Sequence, residues 1–499
     1  MENKYLYIRN DYYELYNGKM QDVLDTLEQN SIDSIVCDPP YHLTSIQERF
    51  GKENSKEAQY GRDGSFQRLS KGFMGQTWDG GDTAFQPDTW KHCYRVLKDG
   101  GYLLAFGGSR TFHRIACAIE DAGFEIRDTI MWLYGSGFPK SMNIGLAIDK
   151  KNGVESEVIG KGKSGKKETH TNSLNFVNGS FGGEYEIKKC ANEWQGWGTC
   201  LKPAYEPIIV ARKPFKGSLV DNILQNGVGG INIDDCRIPT SDDLARINKN
   251  DNGMFGVGNN NNKAQQCKEQ GIEYGGRFPA NVITDGSEEV AQGMPFTNGG
   301  SKIITNKEVN RKGLTNENSV FNSNNCGFKT NIKNDSISSY GDNGSAMRYF
   351  YCAKANKKDR DEGLDLFEIK TKVFNGQSTT SSKNIKDVEK RFTTKLKNIH
   401  PTVKPVDLMQ YLVRLVTPKN GTILDCFMGS GSTGKAVMFE NRERNANYHF
   451  IGIEMTDEYL PICHARIDYA LNKYKYDLEK EKQEDEKRGK LSIFDYLEE

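Results

Sequence analysis

Short apolar runs near both ends of the chain, each tied to a helical repeat, constrain its fold more than any other feature. Ser34-Ile35-Val36-Cys37, Tyr102-Leu103-Leu104-Ala105-Phe106 and Ile126 to Tyr134 lie within residues 1–150. Thr422-Ile423-Leu424-Asp425-Cys426-Phe427 and Tyr448 to Glu454 lie within residues 399–472. Apolar runs without polar alternation read as strands buried on both faces, the mark of a parallel sheet. Gln21 to Glu28, Pro87 to Leu97, Thr111 to Ala122, Val406 to Val416 and Tyr459 to Leu471 have helical spacing and supply the crossovers that parallel strands need. The pattern predicts an α/β fold with a mostly parallel, Rossmann-like sheet built from both chain ends.

The middle is different. Residues 151–345 are rich in Gly, Asn, Lys and Ser, broken by ordered islands at Glu206 to Arg212, Asn222 to Ile233 and Arg277 to Ile283. They read as a large irregular α+β insertion. Residues 346–398 return towards the sheet pattern and then become a charged linker. Residues 473–499 read as a charged tail, in which Lys473 to Lys490 alternate Lys and Glu as a solvated helix does. A long polar loop at residues 44–82 carries Phe73-Met74-Gly75 and Trp78-Asp79, apolar enough to fold over a ligand.

Composition excludes several classes. Lys+Arg and Asp+Glu are 67 each, so a nucleic-acid site must be a local patch rather than a property of the whole chain. The eleven cysteines form no CxxC pair and there are seven histidines, so no structural metal is expected. The odd cysteine count, the lack of an apolar segment after Met1-Glu2-Asn3-Lys4 and the lack of a membrane-length apolar run point to a reduced, cytoplasmic setting and no membrane.

Two stretches carry chemistry. Asp38-Pro39-Pro40-Tyr41 follows the first buried strand, and ligands in open α/β sheets sit beyond the carboxyl ends of strands. The prolines fix φ and donate no hydrogen bond, so their carbonyls stay free. A carboxylate, a rigid carbonyl and a ring face together suit a flat group bearing –NH2, such as a nucleobase. A plain turn after a strand would use the same residue types. The second stretch, Gly429-x-Gly431-x-x-Gly434 with Glu454 twenty residues on, matches a dinucleotide fingerprint: glycines for close backbone approach, an acid for ribose hydroxyls. It also approaches a phosphate loop through Lys435, but Ala436 stands where Ser or Thr should hold magnesium. An NAD-dependent oxidoreductase and a non-catalytic DNA-binding protein remain compatible with this turn alone.

Together, Asp38-Pro39-Pro40-Tyr41 and Phe427-x-Gly429-x-Gly431 resemble the amino-methyltransferases of DNA. The order, catalytic motif first and cofactor loop last, resembles their β class. Trp78-Asp79, Gly100-Gly101-Tyr102-Leu103-Leu104 and His400-Pro401-Thr402-x-Lys404-Pro405 extend the resemblance over residues 17–150 and 399–470. Lys202-Pro203-Ala204-Tyr205-Glu206-Pro207 and Arg277-Phe278-Pro279-Ala280-Asn281 are similar to phage- and prophage-borne members. Many members have Gly-Asp where this chain has Gly18-Lys19, so the contact of that acid with the cofactor's adenine is lost or passes to Asp22.

The resemblance implies a three-layer methyltransferase sheet using S-adenosylmethionine (SAM), and methyl transfer to the exocyclic amine of a flipped-out base in a specific duplex sequence. Adenine N6 is preferred to cytosine N4, because a leading Asp accompanies adenine more often in the family. Asp38 and the Pro39 carbonyl would take the amine hydrogens, Pro40 would stiffen the turn and Tyr41 would stack on the base. Asp425, Phe427, Gly429, Gly431 and Thr433 would cradle SAM, Glu454 its ribose, and Thr402 and Lys404 its carboxylate. Residues 151–345 would be the target-recognition insert, with Arg212, Lys213 and Lys216 meeting phosphates. Tyr205, Trp194 and Trp197 are expected to pack a small core in it. Double-stranded DNA and a cognate restriction nuclease are the implied partners, in a bacterial or phage-infected cell. Lys490-Leu491-Ser492-Ile493-Phe494 resembles peptides that bind sliding clamps.

Overall fold

The computed structural model describes residues 3–41, 82–135, 137, 141–163, 184–239, 276–298, 343–353, 358–368, 370–373 and 393–475. The loop segments with Phe73-Met74-Gly75 and Trp78-Asp79, and the clamp-like residues 490–494, lie outside these.

The strands are β1 (Leu6–Arg9), β2 (Tyr13–Asn17), β3 (Ile32–Cys37), β4 (Leu97–Phe106), β5 (Glu125–Leu133), β6 (Glu157–Lys163), β7 (Glu184–Lys189) and β8 (Tyr205–Arg212). They continue with β9 (Val282–Thr284), β10 (Phe296–Asn298), β11 (Asn343–Ser345), β12 (Tyr351–Cys352), β13 (Lys370–Val373), β14 (Thr393–Leu396), β15 (Thr422–Asp425) and β16 (His449–Glu454). Ten of them form one sheet in the order β1-β2-β16-β15-β3-β4-β8-β5-β9-β12. β2, β16, β15, β3 and β4 are mutually parallel. β8 runs antiparallel between β4 and β5.

The expected meeting of the two chain ends is a specific register: Ile35 of β3 lies opposite Leu424 of β15. From this pair the chain leaves in opposite directions, β3 towards β4 and β15 towards β16. That is a topological switch point, and its crevice opens at the carboxyl ends of β3 and β15. Helices cover the sheet because their apolar positions recur at helical spacing. In Pro87–Val96 the buried positions are Thr89, Trp90, Cys93 and Val96, with proline in the first turn, where it costs no hydrogen bond. Val406–Val416 buries Leu408, Met409, Leu412 and Leu415 among others. Residues 460–475 are helical. The expected helix from Gln21 to Glu28 is only Met20–Leu24.

The middle of the chain departs from the expected single insert. β8 and β9 come from it and complete the main sheet. Ile208, Ile209, Val210 and Ala211 are all buried, so both faces of the sheet are covered at β8, which also has a strand on each edge. Two compact units result: residues 1–236 with 279–287 and 352–499, and residues 237–278 with 288–351. The described part of the second unit pairs β10 with β11 antiparallel and bridges Ile238 to Arg277. No helix among the described residues is long and apolar enough to cross a membrane.

Candidate active site

A cavity of about 1300 Å³ opens along the switch point, and everything that lines it belongs to the first unit. Asp38, Pro40 and Tyr41 line it at the end of β3, with Pro39 buried behind them. The Tyr41 hydroxyl donates to Asp38 Oδ1 at 2.6 Å. Burial, and then the Asp38 charge, push the Tyr41 phenol well above its ordinary range, so it stays protonated and a donor. Thr111 Oγ1 donates to the Tyr41 carbonyl at 3.0 Å, which pins the backbone of the motif. A Cβ on Gly108 would lie 3.3 Å from Tyr41 Cδ2, so the missing side chain there lets the ring lie close to the strand end.

Opposite stands the turn after β15. Gly429 and Gly431 have φ of 55° and 76°, the left-handed region that favours glycine. Gly429 N–H donates to Glu454 Oε2 at 2.8 Å, and Glu454 Oε1 accepts from Thr456 N–H at 2.8 Å. Burial raises the Glu454 carboxyl. Asp425 accepts from Thr433 Oγ1 at 2.5 Å and from Phe427 N–H at 3.1 Å, and burial pushes its carboxyl well above the ordinary range. Asp425, Phe427, Gly429, Thr433 and Glu454 all line the cavity. Gly431 does not. A Cβ there would sit 2.7 Å from Cys463 Cβ, so this glycine serves the turn and its packing rather than the cavity wall. Gly434 likewise lets Ile467 and Phe450 close against the helix. Lys19 and Asp22 both line the cavity, where the sequence left the adenine contact open between loss and Asp22.

The segment 400–404 crosses between the two halves. His400 Nδ1 bonds the Thr402 carbonyl, and its ring packs edge-on to Tyr459 at 4.7 Å. Burial, partly offset by Thr402, lowers the His400 pKa from 6.5 to about 4, so the ring is neutral at pH 7. The folded value is the depressed one. The contribution of His400 to stability is therefore complete above pH 6.5 and lost as the pH falls through about 4. Acid denaturation should be less steep between these values in His400→Gln, read from melting curves at a series of pH values.

Lys404 lines the cavity, and its ammonium is engaged by groups on the Asp38 side. Its Nζ donates to Asp38 Oδ2 at 2.7 Å and to Tyr41 Oη at 3.2 Å, and lies 3.2 Å from Glu206 Oε2. Burial works against its charge, but Asp38 and Glu206 outweigh that and hold it above the ordinary range, as an ammonium. Thr402 lines the cavity. Glu206 was given no role from the sequence. Its signal was an acid at the head of an apolar run, and because β8 is antiparallel, that head lies at the carboxyl edge of β4.

The same reversal corrects the basic cluster. Arg212 pairs with Tyr102 of β4, at the opposite end of β8 from Glu206. It is buried and ion-paired with Glu125 at 2.8 Å. Lys213 is buried, pairs with Asp99 at 3.1 Å, and donates to Asn30 and to the Leu97 carbonyl. Neither is available to phosphates; Lys216 alone of the three is exposed. Lys435, the residue that evoked a phosphate loop, is fully buried and paired with Glu362 at 2.8 Å. Trp194 and Trp197 stack edge-on at 5.1 Å, yet both are exposed rather than packed in a core. Tyr205 lines the cavity. No group of three or more metal-ligating residues occurs among the described residues.

A family model described as DNA methylase, of the N6/N4 class, matches residues 32–465. The type II methyltransferase M.HindIII of Haemophilus influenzae is 24% identical over 234 residues, 44% of this chain and 64% of that protein. The type II methyltransferase M.BglI of Bacillus subtilis is 39% identical over 69 residues, 14% of this chain and 18% of that one. The chain thus spans less than two thirds of the length of these relatives. Among solved structures, the PvuII DNA methyltransferase (cytosine-N4-specific) aligns over 93% of this chain and 92% of its own, with 11% identity and a TM-score of 0.35. The M1.HpyAVI–SAM complex covers 91% of this chain and 99% of its own, at 12% identity and a TM-score of 0.30.

Proposed function

The chain belongs to the N6-adenine/N4-cytosine DNA methylase family, and from that premise we propose that it methylates the exocyclic amine of a base in a specific duplex sequence, adenine N6 by preference. The observation that carries this reading is the single cavity shared by Asp38, Pro40 and Tyr41 on one side and the glycine turn with Glu454 on the other. Its volume of about 1300 Å³ exceeds the roughly 300–1,000 Å³ of a pocket for one small ligand, leaving room for a cofactor and an everted base.

The residues present fit SAM. The positive-φ turn brings backbone close to a ligand, Phe427 offers a ring, and Glu454 places a carboxylate in the cavity wall beside the turn. SAM supplies the activated methyl group. The protein's part is positioning, which is worth up to about 7–11 kcal/mol of a barrier. Asp38 and the Pro39 carbonyl accept the amine hydrogens and fix the direction of the nitrogen lone pair. The Tyr41 ring stacks on the base, at roughly 1–3 kcal/mol. Residues 151–345, apart from the strands β8 and β9 that complete the main sheet, remain the part proposed to read the sequence, with Lys216 left as a phosphate contact. A cognate restriction nuclease is the partner expected for such an enzyme.

The test is transfer of labelled methyl from SAM to mixed genomic DNA, followed by nucleoside analysis. Label in N6-methyladenine is the expected result. The leading Asp supports adenine, and label in N4-methylcytosine would overturn the base assignment alone. Glu454→Ala removes the acceptor that fixes Gly429 N–H and should weaken SAM binding by about 10- to 100-fold in calorimetry. An unchanged affinity would remove Glu454 from the cofactor site.

A further inference from the structure

Lys404 carries three hydrogens, and three acceptors surround it: Asp38, Glu206 and Tyr41 Oη. The ammonium is held over the Phe106 ring, 4.7 Å from its centroid, with its side chain only 10% exposed. It therefore stands beside Asp38 as a fixed donor next to a fixed acceptor, 2.7 Å apart.

That pattern has a chemical complement. In adenine and in cytosine, the carbon that bears the amine is bonded to a ring nitrogen with a free lone pair. The edge reads donor, then acceptor. Asp38 followed by Lys404 reads acceptor, then donor. Thymine offers a carbonyl beside an N–H, the reverse order. We propose that Lys404 reads the ring nitrogen beside the target amine, and that Glu206 is the positioning residue that holds it there. This rests on the methyl-transfer reading above. Two of the three hydrogens stay on Asp38 and Glu206. The third, now on Tyr41 Oη, is free to pass to the base once the Tyr41 ring turns its face to it. No second cation from the recognition stretch is required, and both bases of the family's repertoire satisfy the same pair.

The test deletes the ring nitrogen instead of the amine. Duplexes carrying the mapped target site are made with 1-deazaadenine, or 3-deazacytosine if the target is cytosine, in place of the target base. Wild type should lose about 10- to 100-fold in kcat/KM on the deaza duplex, the worth of one hydrogen bond to a charged donor. Lys404→Met should lose a similar factor on the natural duplex and less than about threefold more on the deaza duplex. Lys404→Arg, which keeps a charged donor, should retain part of the discrimination and guards against a folding defect. Glu206→Gln should raise KM for DNA while SAM affinity and melting temperature hold; a raised KM accompanied by losses of SAM affinity and of melting temperature would make Glu206 merely structural. Equal deaza losses in wild type and Lys404→Met would overturn the proposal. Absence of label from wild type on natural DNA would instead sink the methyl-transfer reading, and this inference with it.

Discussion

Asp38→Ala is expected to lower kcat for methyl transfer by at least about a thousandfold while changing SAM affinity by less than about threefold. Asp38 is the first residue beyond β3, and both its oxygens face groups of the target side: Oδ1 takes the Tyr41 hydroxyl and Oδ2 takes Lys404. The backbone donors of the glycine turn are held by Glu454 and Asp425, so the turn keeps its shape without Asp38. Lys404 keeps Glu206 as a counter-ion, so the substitution leaves no buried charge unpaired. Asp38→Asn should be impaired less than Asp38→Ala, because the amide keeps one acceptor oxygen but turns its NH2 towards Tyr41 Oη or Lys404 Nζ, both of which are donors. Transfer kinetics with labelled SAM and calorimetry of SAM binding separate the two effects. An equal loss in both would place Asp38 in the cofactor site and remove it from the chemistry.

The parallel half of this sheet was legible because each buried strand is a continuous apolar run and each crossover has helical spacing. Chain distance hid nothing there: Ile35 and Leu424 meet as the pattern requires, and Asp38 and Gly429 line one cavity. Strand direction was not legible. Glu206 to Arg212 reads as a buried strand in either orientation, yet orientation decides which end faces the ligand. Reversed relative to β4, it sends Glu206 to the site and buries Arg212 and Lys213 at the far edge. A basic triplet after a strand looks the same whether solvated or paired. The partners that pair it, Glu125 and Asp99, are remote in sequence. The partners of Lys404 were hidden for the same reason: a lysine near a cofactor motif suits an anion, and only the fold brings Asp38 and Glu206 to it. Gly431 had the right spacing for a ligand glycine, but its close neighbour is Cys463.

Glu362→Ala should cost about 3–5 kcal/mol of stability at neutral pH, the range for stranding one member of a buried ion pair. Lys435 is fully buried on the helix Ser432–Arg444, which follows the glycine turn, and Glu362 Oε2 lies 2.8 Å from its Nζ. Tyr469 Oη donates to the other carboxylate oxygen at 2.9 Å, and Lys473 lies 3.1 Å from it. Without Glu362 the buried ammonium keeps the ring faces of Phe439 at 5.7 Å and Tyr469 at 5.9 Å and the more distant attraction of Asp359, none of which is a hydrogen-bonded counter-ion. The helix that would yield carries Ser432 and Thr433 into the cavity wall, so SAM affinity should fall along with the melting temperature. Adding Lys435→Met to Glu362→Ala should restore most of the stability, since an apolar chain of similar length has no charge to strand. The pH dependence has a fixed sign. Burial alone would raise the Glu362 carboxyl, but Lys435, Lys473 and Tyr469 outweigh it and hold its pKa at about 2, below the ordinary 4.5. Its contribution is therefore complete above pH 4.5 and is lost as the pH falls towards 2. Denaturant melts of the single and double variants check this. A loss under about 1 kcal/mol in Glu362→Ala, or no recovery in the double variant, would mean that Lys435 finds another counter-ion and that this pair does not anchor the cofactor helix.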